Sequence, residues 1–162
     1  MRSLALGTVL ILLSGPVFAL SCIANTVPDT YKRADASEAR YMAVHGTVTF
    51  DNALLPVVDW EDQMGTPPDN FIPARFTGKA LSKRGFKHNF DEDILLNVQC
   101  IGPWCAYAES GQSFLGFVEK SDAGYSLTIG ACGGDGFARP TMEMLDQAVS
   151  CMRGNSCISS NY

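Results

Sequence analysis

The chain predicts a mainly β domain: five strands closed into a small barrel, flanked by helices and stapled by disulfides. Three observations carry this. Apolar and polar residues alternate over several short runs separated by turn residues. A glycine interrupts the apolar face of the clearest run, Tyr41–Asp51, as a bent barrel strand requires. Six cysteines, Cys22, Cys100, Cys105, Cys132, Cys151 and Cys157, follow a segment that reads as an export signal.

Residues 1–21 form that signal. Arg2 supplies a positive start, Leu4–Leu13 is a short apolar stretch, and Gly15-Pro16 breaks any helix. Val17-Phe18-Ala19 offers small residues at −3 and −1 of a cut after Ala19. A second cut, after Ser21, has Ala19 at −3 and leaves Cys22 as the first residue. Lipidation of Cys22 is disfavoured, because Ala19-Leu20-Ser21 has the wrong order for a lipobox. No second apolar stretch approaches the roughly 20 residues of a membrane helix. The domain is therefore expected to span residues 22–162, in a secreted or periplasmic compartment where thiols pair.

The elements follow in order. Val27–Arg40 is helical in part: Pro28 suits a first turn, and Tyr31, Ala34 and Ala36 share one side. In Tyr41–Asp51, Met42, Val44, Val48 and Phe50 lie on one face; Tyr41, His45, Thr47 and Thr49 form an outer polar face. Gly46, mid-strand, predicts a bulge or sharp bend. Asn52–Asn70 is a long connection whose Pro56, Gly65, Pro67 and Pro68 argue against regular structure. It carries Trp60 beside Asp59, Glu61 and Asp62, and the preferred reading folds Trp60 back as an apolar plug. In Phe71–Ser82, Ile72, Ala74, Phe76, Gly78 and Ala80 alternate with polar neighbours, and Lys83-Arg84-Gly85 is a turn. A third strand is best defined over Ile94–Cys100. Ser113–Glu119 and Tyr125–Gly130 form a hairpin around Lys120–Gly124. Pro140–Met152 is an amphipathic helix with Met142, Leu145, Val149 and Met152 on one face.

Charge narrows the partners. The chain carries 12 Lys+Arg against 17 Asp+Glu, a net charge of −5, and loss of Arg2 makes the exported form more negative. An acidic surface argues against nucleic acid and anionic membranes, both of which need a basic footprint.

Five strands with a glycine-interrupted first strand suggest a partly open barrel of OB type. The segment Cys22-Ile23-Ala24, then Tyr31, Ala34-Asp35 and Val44-His45-Gly46-Thr47-Val48, resembles the opening of netrin-like domains. These are OB-fold modules that include the tissue inhibitors of metalloproteinases. Val98-Gln99-Cys100, Tyr125–Gly130 running into Cys132-Gly133-Gly134, and the helix bearing Cys151 continue the likeness across nearly the whole exported chain. The resemblance implies the pairings Cys22–Cys100, Cys105–Cys132 and Cys151–Cys157. It also implies that a free Cys22 amine and carbonyl would chelate a protease zinc, with Ile23 entering the specificity pocket. Ala24 departs from the inhibitors, which carry a second cysteine there.

Other constellations carry less. Cys100-Ile-Gly-Pro-Trp-Cys105 has four residues between its cysteines, where redox pairs have two at a helix start. His45 and His88 are the only histidines, and no metal-ligand spacing joins them. Asp91-Glu92-Asp93 lacks the spacing of a calcium loop. Gly133-Gly134-Asp135-Gly136 is explained by turn geometry.

The sequence thus predicts an exported binding module without enzymatic activity, cofactor or metal. Its partner would be a protein, with an exported metalloprotease as the specific case. The contact surface joins Cys22, Ile23 and Ala24 to Gly102, Pro103 and a partly exposed Trp104. The alternatives are an exported metal-dependent enzyme using His45, His88 and the acidic loop, and a structural envelope or matrix component.

Overall fold

Thr26 opens the fold by capping a helix: its Oγ1 accepts from the Asp29 amide, and Pro28 follows in the first turn. The computed structural model describes residues 22, 23 and 25–159. The signal segment 1–21, its two cleavage points and Ala24 lie outside the described residues.

The first helix, α1, spans Val27–Asp35. Strands β1 (Arg40–Phe50), β2 (Asp69–Ser82) and β3 (Gly85–Ile101) follow as an antiparallel meander, with a single 3-10 turn at Asn52–Leu54 in the connection after β1. A two-residue strand, β4 (Trp104–Cys105), folds back on the end of β3. Next come β5 (Gln112–Ser121), β6 (Gly124–Gly130), the short β7 (Gly133–Gly134) and β8 (Gly136–Ala138), and finally α2 (Met142–Met152).

Five of these strands close a ring in the order β1-β2-β3-β6-β5 and back to β1. Every pairing is antiparallel except β3 with β6, which run parallel through Ile94–Val98 and Tyr125–Ile129. Closure leaves no long unpaired edge. β8 pairs with β5 at Phe114–Gly116, below the point where β6 turns away.

The alternation read from the sequence fills the ring. Val44, Val48, Ile72, Phe76, Leu96, Val98, Phe114 and Leu127 are buried in one cluster inside it. Burying a side chain of this size contributes about 1.5–3 kcal/mol. Phe90 packs edge-to-face against both Phe76 and Tyr125.

A second cluster corrects the expected outer face of β1. Ala43, Leu81, Leu115 and Phe117 point out of the ring and are covered by Val27 of α1 and by Leu145 and Ala148 of α2. Tyr41 and His45 are accordingly half-buried. Small and aromatic residues on that face accept a helical layer, which strand periodicity cannot reveal. In α2 the buried stripe is Leu145, Ala148 and Cys151, with Val149 and Met152 beside it; Met142 is exposed. Pro140 lies outside the helix, because Thr141 is the cap.

Gly46 makes no bulge. The β1–β2 register runs unbroken through it, with Gly46 opposite Gly78. The irregularity falls instead in the β2–β3 ladder, at Ala80/Leu81. Strand β3 begins at Gly85, well before Ile94. Its polar start is held by pairing with β2: Arg75 bridges Asp91 at 2.9 Å and Asp93 at 2.8 Å, and Thr77 donates to Asp91. Arg75 and Thr77 hold the Asp91 carboxyl below its ordinary value.

The disulfides are Cys22–Cys132, Cys100–Cys105 and Cys151–Cys157. The last is as the resemblance implied; the first two are not. Cys100 and Cys105 are direct register partners across the β3–β4 turn, with Cα atoms 3.9 Å apart, so each lies nearest the other. Cys22 is left beside Cys132, just past β6, at a Cα separation of 5.1 Å.

Candidate functional site

One end of the ring gathers the residues that the sequence singles out for contact. β3 and β6 run parallel to this end, so Cys100–Cys105 and Cys22–Cys132 both lie there. The β1–β2 connection, 51–68, leaves and re-enters at the same end, and the Cys100 amide donates to the Pro68 carbonyl.

The β3–β4 turn is tight. Ile101 pairs with Trp104 around the two-residue loop Gly102-Pro103, and Gly102 takes φ 57°, as primed hairpin turns need at their first central position. The turn is stapled at its base by Cys100–Cys105 and leaned on by the long connection. A side chain on Gly102 would meet Met64 Sδ at 3.1 Å. Trp104 is 40 % exposed, as the sequence reading expects.

Trp60 is no plug. It is 71 % exposed, and Phe50, Leu55 and Ala106 are among the residues packed against the barrel interior. With Met64, Ile101, Trp104 and Tyr107 it forms a set of large apolar side chains left in solvent on adjoining segments. Carboxylates border them: Asp59, Glu61 and Asp62 in the connection, and Glu109, which accepts from the Tyr107 hydroxyl. Met64, Ile101 and Tyr107 were not anticipated. No periodicity marks an exposed residue in a loop, and the proximity of the two loops is a property of the closed ring.

Below this end the framework is polar and satisfied. Buried Asn97 accepts from the Asn70 amide and donates to Asp69, and Gln99 donates to the same Asp69 oxygen at 2.8 Å. These two amides hold the Asp69 carboxyl below its ordinary value. The mouth of the long connection is thus fixed to β3.

The N-terminal edge borders a shallow hollow of about 340 Å³ with Ala131, Gly133 and Phe137. Asn25 anchors it by donating to the Gly134 carbonyl at 2.7 Å, and Arg33 of α1 pairs with Asp135 at 2.5 Å. Ile23, next to the stapled Cys22, is 93 % exposed. Gly133-Gly134 and Gly136 belong to β7 and β8, so the glycine-rich stretch serves strand pairing.

The enzyme alternative needs His45 and His88 to converge, and they do not. His45 is in register with Lys79 and His88 with Ala80, so consecutive positions of β2 send the two histidines to opposite faces. His45 packs edge-on against Phe86 and lies 3.3 Å from Ser113 Oγ; burial lowers its pKa. His88 is exposed. Among the described residues no three His, Cys, Asp or Glu side chains come together as a metal would require, the acidic connection included. Nor, among the described residues, is any helix long and apolar enough to cross a membrane.

The geometry defines a disulfide-bonded, five-stranded closed ring with an apolar end held rigid from beneath. No family model, curated protein or solved structure matches this chain.

Proposed function

We propose that this chain is an extracytoplasmic protein-binding module of OB type, related to the netrin-like domains, that engages its partner through the apolar end of the ring. The strand order supports the OB reading: a β1-β2-β3 meander, then two further strands, the last parallel to β3. The three disulfides fit an oxidising compartment, as does the export signal read in residues 1–21.

One observation carries the functional reading. Trp60, Met64, Ile101, Trp104 and Tyr107 are exposed on adjoining segments anchored by disulfides and by the Asp69–Asn97–Gln99 network. Large apolar and aromatic residues held on a preorganised scaffold are the usual anchors of protein interfaces. The bordering carboxylates suit a partner with basic residues around an apolar centre.

Site-specific photocrosslinking in the native cell tests this. A benzoylphenylalanine at position 60 or 104 is expected to trap a discrete heteromeric adduct, and one at His88, exposed near the far end of β3, is not. Equal yields from all three positions, or none from 60 and 104, would remove this surface from the proposal.

A second reading, metalloprotease inhibition, is favoured by the free Ile23 side chain next to stapled Cys22. It requires a chain beginning at Cys22, because Leu20-Ser21 would block the chelating amine. N-terminal sequencing decides it: a start at Cys22 warrants assays against zinc endopeptidases, and a start at Leu20 ends the idea.

A further inference from the structure

A cleft of about 490 Å³ opens on the outer face of the ring, at the end away from Trp60 and Trp104. That lies within the ~300–1,000 Å³ of small-molecule pockets. Ala43, Leu81 and Phe117, side chains of the second apolar cluster, form its floor, with Met152 from the end of α2. Three aromatic rings surround that floor. Phe117 stands directly opposite Ala43 in the β1–β5 ladder, and Tyr41, two residues before Ala43, lies diagonally across from it on the same face. Tyr31 of α1 meets Phe117 edge-on, with ring centroids 6.3 Å apart. Tyr31 and Tyr41 are both half-buried.

The charge that faces these rings is mostly negative. The Tyr41 hydroxyl donates to Glu119, its cross-strand partner, at 3.3 Å. Asp35 lines the cleft one helical turn after Tyr31. Burial and then Asp35 push the Tyr31 phenol above its ordinary value. Burial, Asp135 and Glu119 do the same to Tyr41, against an opposing pull from Arg33. Arg33 is itself taken up by Asp135, whereas neither Asp35 nor Glu119 has an ion-pair partner among the described residues. Arg40 and Lys120 reach the rim, but they belong to the inner row of their strands with Met42 and Val118. Lys120 Nζ accordingly sits 5.5 Å from the ring centroid of Tyr125, inside the barrel.

We propose that this cleft binds a small amphipathic organic cation. Its alkylammonium head lies against Tyr31 and Tyr41 between Asp35 and Glu119, and its apolar body rests on Phe117, Leu81 and Met152. Ring faces attract a weakly hydrated cation, and the two unpaired carboxylates supply the countercharge. This site is independent of the protein-binding end of the ring.

Nuclear magnetic resonance titration of the intact, nitrogen-15-labelled, disulfide-bonded protein tests the proposal. The probes are octyltrimethylammonium and octanoate, equal in chain length and opposite in charge, each below its micellar concentration. Octyltrimethylammonium is expected to give saturable shifts centred on the amides of Tyr31, Asp35, Tyr41 and Phe117, and octanoate is not. The double variant Asp35→Asn/Glu119→Gln is expected to weaken the ammonium compound by roughly five-fold or more, and Asp35→Asn alone by roughly two-fold or more. The same spectra report that each variant is folded. Equal shifts from both probes, shifts confined to the indoles of Trp60 and Trp104, or unchanged affinity in the folded variants would each overturn the proposal.

Discussion

Gly46 and Gly78 face each other across β1 and β2 with their backbones in contact. A Cβ on Gly46 would sit 2.5 Å from Gly78 Cα, and one on Gly78 would sit 2.7 Å from Gly46 Cα. Both also meet carbonyl groups, of Thr77 and His45 respectively. Neither obstacle is a flexible side chain that could move aside. The pair lies in the middle of the ladder, so it sets how closely the first two strands of the ring can approach.

Gly46→Ala and Gly78→Ala should therefore destabilise well beyond the ordinary cost of a strand substitution, by roughly 4 kcal/mol or more each. Denaturant unfolding monitored by far-UV circular dichroism measures this. A loss under about 1 kcal/mol would show that the strands separate cheaply, contrary to the packing described.

Disulfide mapping under non-reducing conditions should recover Cys22–Cys132, Cys100–Cys105 and Cys151–Cys157. The bridges also differ in expected worth. Cys22–Cys132 joins residues 110 apart, the other two residues 5 and 6 apart. On the chain-entropy account the long bridge contributes roughly 5 kcal/mol and each short one roughly 2. Paired Cys→Ser variants compared by thermal and denaturant unfolding check the ranking. A Cys22–Cys100 peptide in the map would contradict the fold at the β3–β4 turn.

His45 should make stability pH-dependent in one direction. Burial against Phe86 lowers its folded pKa, so the unfolded chain binds the proton more readily. Stability is then full above about pH 6.5, the value of a free histidine, and falls as the pH drops below it. His45→Gln should flatten the unfolding free energy between about pH 5 and 7. An unchanged slope in that variant would place the titration elsewhere.

Thr30 offers a gain. It is fully buried in α1, and among the described residues its hydroxyl has no hydrogen-bond partner. Thr30→Val keeps the shape and removes the orphaned group, so it should stabilise by about 1 kcal/mol. A loss of similar size in thermal unfolding would mean the hydroxyl is satisfied in solution.

Much of the fold was legible in the chain. The inward faces of β1, β2 and β3 follow from strict alternation, because a strand half-buried on one side must send every second residue to the core. Ile72, Phe76, Leu96 and Val98 are buried as that rule requires. The partial exposure of Trp104 followed from its place in a short turn. What escaped depended on partners distant in sequence. The polar start of β3 is held as a strand by β2, where Arg75 and Thr77 lie opposite Asp93 and Asp91. Ala43 and Phe117 are buried only because two helices pack over them.

By itself, then, the sequence determined the alternation that builds the ring, the presence of a helix before and after the strands, and the even set of cysteines. These rest on neighbouring residues and on the period of the backbone. The pairing of those cysteines, the exposure of Trp60 and the separation of His45 from His88 were decided by tertiary structure alone. Each depends on which strands close the ring and in what register, and that is settled by the packing of the whole chain.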